Sequence, residues 1–243
     1  MKQYLNEINK RFQYRATWEP NKTLAVGDVG ILEKGIFSLR STLAQENIPQ
    51  TVRTDESEGS MKYTSEGAVD ITAKLAGQAS APQSGLAQGD AGITVQFKKQ
   101  DAVVFQINGS RTHQLQNTGE IEREVLKRFR ENNWPKDWVI ITELVEAKEA
   151  TILISNSKDS VIELKANADV RATNDLDVAD AQLNLSVIAK KGISTEIVAK
   201  EGITPLYRAS GIKKPVFGDP SLGTKELFGE VLEEVPFDPS ELE

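Results

Sequence analysis

The feature that most restricts the fold is a two-residue alternation of apolar and polar side chains that keeps returning along the chain. Val69, Ile71, Ala73 and Leu75 interleave with polar residues, and so do Ile93, Val95 and Phe97, then Val103, Phe105 and Ile107. A period of two belongs to a strand with one buried face. A bulge or kink is expected near residues 98–100, between the second and third of these runs. β-branched runs at 138–145, 151–155 and 161–164 extend the pattern, and further strands are expected at 182–189, 194–198 and 204–209.

Helical periodicity is confined to a few places. Ile121, Val125, Leu126 and Phe129 make one apolar stripe over 118–132, with charged residues around the rest, and Trp134-Pro135 ends it. The stripe is expected to pack on the strand at 138–145, which follows directly. Tyr4, Leu5, Ile8 and Phe12 mark one face of an N-terminal helix within residues 1–17. A doubly wound fold would place a helix after every strand, and this chain does not. The expectation is an α+β fold, a twisted antiparallel sheet with long strands flanked by a few helices.

The remaining segments read as connections. Residues 18–22 form a turn, and 53–60 a polar loop. Residues 24–32 read as two short strands bent at Gly27-Asp28-Val29-Gly30. That corner lacks the Lys-Ser or Lys-Thr and the helix that a phosphate loop needs, so it reads as a structural turn. The small-residue stretch 76–85 is expected to be a flexible connection.

Composition narrows the chemistry. With no cysteine there is no disulfide, thiolate metal site or cysteine nucleophile, and His113 is the single histidine. His113 has no nucleophile motif beside it and is expected to be structural or exposed. Asp175, Asp177 and Asp180 lack the glycine and terminal glutamate of a calcium loop and read as a solvated acidic turn. No catalytic, cofactor-binding or metal residue is assigned, and no cofactor is implied. The N-terminus lacks the apolar run of a secretory signal, and no stretch approaches the roughly 20 apolar residues of a membrane helix. A cytoplasmic protein is expected.

The formal charge of −7 is concentrated at one end. Residues 216–243 carry eight acids against one base, Lys225, which leaves the rest of the chain with no net charge. A neutral body with an acidic tail is a poor partner for nucleic acid. The division expected is a body over 1–212 and a linker with an acidic amphipathic tail over 213–243. Within that tail Leu227, Phe228, Val231 and Leu232 share one helical face, so residues 225–234 read as a short helix that docks on the body, the alternatives being a disordered tail or one reserved for a partner.

From Ser65 to Ile212 the order of elements resembles the pore-forming domain of the gasdermin family. The residues that carry the resemblance are the helix Glu120-Ile-Glu-Arg-Glu-Val-Leu-Lys-Arg-Phe-Arg130, the following Trp138-Val-Ile-Ile-Thr-Glu-Leu-Val145 with its continuation to Ile154, and the closing Gly202-Ile-Thr-Pro-Leu-Tyr-Arg-Ala-Ser-Gly-Ile212. A short inhibitory C-terminal peptide, as in bacterial members, corresponds to the acidic tail. The lipid-modified cysteine that bacterial members commonly carry has no counterpart. The resemblance implies a non-enzymatic, autoinhibited pore-former, a cell-death or antiphage defence effector. An activating protease would cut the linker near Lys213, Lys214 or Lys225, and a homo-oligomer would then form in a lipid membrane. The alternative is a non-enzymatic α+β scaffold that binds a partner or ligand at a sheet edge or pocket.

Overall fold

The structure is a computed structural model that describes residues 2–17, 23–167, 178–179, 181–213 and 231–236. In chain order the elements are α1 (Lys2–Phe12), β1 (Arg15–Ala16), β2 (Asp28–Glu33), β3 (Ile36–Thr42), β4 (Val52–Thr54), β5 (Gly59–Thr64), β6 (Val69–Lys74), β7 (Ala91–Phe97) and β8 (Val103–Leu115). After them come α2 (Thr118–Arg130), β9 (Trp138–Ser155), β10 (Ser160–Ala166), a 3-10 turn (Ala181–Leu183), β11 (Ser186–Lys191), β12 (Ile193–Lys213) and β13 (Val231–Glu234). The fold is α+β with antiparallel sheets.

The first sheet is built around β9. One edge of β9 pairs with β12 along nearly its whole length; the other edge takes β2 at residues 138–140 and β8 at 143–154. β4 and β5 then share the outer edge of β8, and β3 lies outside β2. The second sheet has the order β11-β10-β7-β6.

The apolar positions place these sheets in layers. Val103, Phe105, Ile107, Ile152 and Ile154 turn to one face of the first sheet and bury Tyr4, Leu5 and Ile8 of α1. Val104 and Leu153, one residue out of phase, turn to the other face and meet Ile93, Val95, Phe97, Ile162 and Leu164 of the second sheet. Alternation therefore buries both faces here, which is why residues 150–155 are buried without interruption. Ile121, Val125 and Leu126 of α2 pack with Ile140, Leu115 and Trp134 at the far end, and Phe129 borders that cluster half-buried.

Several elements differ from the sequence expectation. The runs at 138–145 and 151–155 belong to one strand, as do those at 194–198 and 204–209. The charged step Glu146 to Glu149 looks like a break in the sequence, yet the buried side only changes parity between Ala147 and Ala150 while pairing continues. Pro205 is accommodated in β12 at a register shift between Ile203 and Leu206, where its carbonyl accepts the Thr17 N–H. Gly30 is not a corner: it lies inside β2, with the Phe37 ring of β3 over the place a Cβ would take. The loop at 53–60 is narrower than expected, because β4 ends at Thr54 and β5 begins at Gly59. The strand expected from 182 opens as the 3-10 turn.

The small-residue stretch 76–85 is mostly exposed, and it is anchored at its far end. Leu86 is buried, the Gly85 N–H donates to the buried Glu163 carboxylate at 2.6 Å, and Lys74 Nζ donates to the carbonyls of Ala87 and Asp90 at 2.9 and 2.7 Å. Residues 231–234 form a strand on β12 instead of the end of a helix. The turn at 18–22, the acidic loop Asp175, Asp177 and Asp180, and Leu227, Phe228, Lys214 and Lys225 lie outside the described residues.

Candidate functional site: long strands beneath a helix and a tail strand

Four strands of the first sheet and the whole of the second make one four-stranded ribbon folded over itself. Across the first sheet the order β5-β8-β9-β12 is matched by β6-β7-β10-β11 in the second, and each pair is consecutive in the chain. β5 runs into β6, β7 into β8, β9 into β10 and β11 into β12, all through short turns at the same end. The resulting strand pairs cover 59–74, 91–115, 138–166 and 186–213. β9 alone, with 18 residues, spans about 60 Å at the rise of an extended chain.

Small hydroxyl side chains fasten the fold-over. The Ser155 hydroxyl accepts the Ala102 N–H at 2.9 Å and donates to the Lys99 carbonyl at 2.8 Å. The Ser65 hydroxyl accepts the Val103 N–H at 2.9 Å, and Ser194 donates to the Ile154 carbonyl. Ser65, Ser155 and Ser160 are all buried. A short polar group satisfies the backbone at each corner where strand pairing breaks off.

Two covers lie over this ribbon. The first is α1, whose Glu7 carboxylate accepts hydrogen bonds from Tyr63 Oη at 2.9 Å and Ser65 Oγ at 2.8 Å. Tyr4 sits beneath the helix in the apolar layer, and burial holds its phenol well above the ordinary range. The second cover is β13. β1 and β13 occupy successive stretches of the same edge of β12: Ala16 pairs with Leu206 and Arg15 with Tyr207, then Ser210 with Glu234 through Lys213 with Val231. The Val235 N–H donates to the Ala209 carbonyl at 2.8 Å, and Val235 packs with Val139, Ile141 and Tyr207.

Two arginines join these segments. Arg15, itself buried, donates from Nη2 to the Pro236 carbonyl at 2.7 Å and the Val235 carbonyl at 3.3 Å. Arg208 donates from Nε to the Gln13 carbonyl at 3.2 Å, lies 4.5 Å from the Tyr14 ring centre, and stands 3.7 Å from Glu143 and 3.8 Å from Glu234. Tyr14 also donates to Glu143; burial first, then that hydrogen bond, raises the Tyr14 phenol. None of these residues was singled out from the sequence, because they are brought together from positions nearly the whole chain apart.

The sequence-assigned tail residues divide. Val231 and Leu232 lie in β13, where their backbones pair with Lys213 and Ile212. Lys213 is the last residue of β12. His113 is neither isolated nor simply exposed. It faces a cleft of about 580 Å³ and bridges Thr54 Oγ1 at 2.9 Å and Glu146 Oε2 at 2.9 Å. The order hydroxyl, imidazole, carboxylate is that of a catalytic relay, yet these are neighbours on adjacent strands β4, β8 and β9, and the nearby cations are engaged elsewhere. Arg111 and Lys148 both turn to Glu58, at 2.9 and 2.7 Å, and the Lys148 ammonium is the main influence holding the Glu58 carboxyl below its usual range. The cleft is a cross-strand row of mutually paired charges.

No known protein family matches the chain, and no curated protein matches it. Among solved structures, the gasdermin A3 membrane pore is similar over 94% of this chain and 96% of its own, with 10% identity and a TM-score of 0.39. A bacterial gasdermin from Bradyrhizobium tropiciagri is similar over 96% of this chain and 91% of its own, with 15% identity and a TM-score of 0.36.

Proposed function

We propose that this chain is an autoinhibited membrane pore-former, released by proteolysis of its acidic tail and acting as a cell-death or antiphage defence effector. The observation that carries the reading is the folded-over ribbon. A strand that crosses a bilayer needs about 9 to 11 residues, an apolar face for lipid and a polar face for water. The continuous pairs at 91–115, 138–166 and 186–213 exceed that length, and the side chains of β7 and β10 alternate in the required way. In the resting fold the apolar face of β7 and β10 is hidden against Val104 and Leu153. Opening the corners would turn that face outward. Pairing with neighbouring copies would then satisfy the ribbon's edges, as an open edge cannot stand in lipid.

The tail supplies the restraint. β13 covers the edge of β12, and the negative charge of residues 216–243 opposes approach to anionic lipid. In this reading Leu227 and Phe228 dock beside Val231 and Leu232, and an activating protease cuts near Lys213, Lys214 or Lys225. The protein rests in the cytoplasm and moves to the membrane as a homo-oligomer. It performs no catalysis and needs neither cofactor nor nucleic acid.

Dye release from anionic liposomes tests this. Protein ending at Ile212 should permeabilise them and intact protein should not. If the shortened protein stays monomeric and leaves the vesicles sealed, the pore-former reading fails. The second reading then takes its place: a binding scaffold that captures an extended partner at the β12 edge, the edge that β13 occupies here.

A further inference from the structure

We infer that the tail and the N-terminal helix act as one coupled unit, with Arg15 as the positioning residue that makes the seating of α1 depend on the presence of residues 231–236. The inference deepens the autoinhibition reading by saying how loss of the tail reaches the covered strands.

The coupling follows from where the contacts fall. β1 is only two residues long, too short to hold an edge by backbone pairing alone. Its attachment is completed by Thr17, which donates its N–H to Pro205 and its hydroxyl to Thr204, and by Arg15. The Arg15 side chain is buried, and its Nη2 donates to two carbonyls of the tail. Without the tail Nη2 loses both of these contacts, and the tie that fixes Arg15, and β1 with it, against residues 235 and 236 is gone. Arg208 repeats the connection one strand away, since it touches Gln13 and Tyr14 on the N-terminal side and Glu234 on the tail.

What lies upstream gives the coupling its consequence. Gln13 directly follows α1, and its N–H donates to the Asn9 carbonyl of the helix at 2.8 Å. The helix itself holds Tyr4, Leu5 and Ile8 over Phe105, Ile107, Val145 and Ile152. A tail that leaves the β12 edge therefore loosens the segment that fixes the end of α1, and with it the lid over the apolar face of β8, β9 and β12. The relation is reciprocal, as any coupling between two equilibria must be.

Backbone hydrogen exchange on the full-length chain, in solution without membrane, tests this separately from pore formation. Val235→Asp forces a charge into the apolar socket of the tail and leaves Arg15 unchanged. Amides of 231–236 should exchange faster by about tenfold or more, and amides of α1 should follow, while those of β6 and β7 keep their rates. Arg15→Ala should reproduce the same pattern from the other side of the contact. Faster exchange in the tail with α1 unchanged overturns the coupling, and so does a tail that keeps its rates in Val235→Asp. A rise of equal size in β6 and β7 means general loosening and overturns it as well. Sealed liposomes with the shortened protein would remove the pore reading and leave this result standing.

Discussion

Gly211 is the floor of the socket that receives Val235: a Cβ at position 211 would stand 3.1 Å from Val235 Cγ2 and 3.1 Å from Val139 Cγ1. Glycine inside a strand is unfavourable unless something needs the space, and here the tail does. Gly211→Val should force the tail outward, at a cost of about 1 to 3 kcal/mol to its docking, the usual range for overpacking. Limited proteolysis should cut the variant faster after residue 213. Cleavage at the parent rate would show that Val235 does not need the socket.

α2 offers a graded test of packing. Ile121 is 1% exposed among Leu115, Trp134 and Ile140, whereas Phe129 lies half-buried at the border of the same cluster. Ile121→Ala should cost about 2 to 5 kcal/mol. Phe129→Ala should cost less than the roughly 3 to 5 kcal/mol of a fully enclosed phenylalanine. Urea denaturation of both variants decides it, and a larger loss at Phe129 would contradict the packing described.

Asp28 predicts a pH effect of defined sign. Its carboxyl is buried beneath the turn before β2, and burial raises its pKa, against the pull of the Ala25 N–H that it accepts at 2.9 Å. An acid raised on folding adds no penalty where it is protonated in both states. It takes stability away as the pH climbs from the ordinary aspartate range through the folded pKa. Asp28→Asn keeps an oxygen for Ala25 and sheds the buried charge. The variant should be more stable than the parent at pH 7, and the gain should vanish at about pH 3, below the ordinary aspartate value. A gain independent of pH would place its origin elsewhere.

Much of the sheet was legible because alternation survives wherever one face is buried. Residues 69–75 and 93–97 announced β6 and β7 in this way, 103–107 announced β8 although both its faces are buried there, and the 121, 125, 126, 129 stripe announced α2. The union of 138–145 with 151–155 was hidden, because a charged step inside a strand looks the same in sequence whether the strand ends or only changes its buried side. β13 was hidden for a different reason. Leu227, Phe228, Val231 and Leu232 satisfy a helical period, but a four-residue segment takes its conformation from the edge it meets, and the β12 edge offers backbone partners. Arg15 and Arg208 carry no local signal at all, since their partners lie on other strands or in the tail.

The corner serines connect stability with the proposed opening of the ribbon. Ser155 is fully buried where β9 ends, and its hydroxyl satisfies the Ala102 N–H while donating to Lys99. Ser155→Ala leaves that buried N–H without its acceptor, a loss of about 1 to 3 kcal/mol. Ser157, two residues on, is exposed, and its hydroxyl pairs with the Ser160 hydroxyl at 3.1 Å, so Ser157→Ala should change stability by less than about 0.5 kcal/mol. The pair separates the buried contact at this corner from an exposed one in the same turn. If the ribbon unfolds at its corners after the tail is cut, cleaved Ser155→Ala protein should release liposome dye with a shorter lag than cleaved parent, and Ser157→Ala should match the parent. A Ser155→Ala protein that is less stable in urea but keeps the parent lag would show that the corner is not what opens.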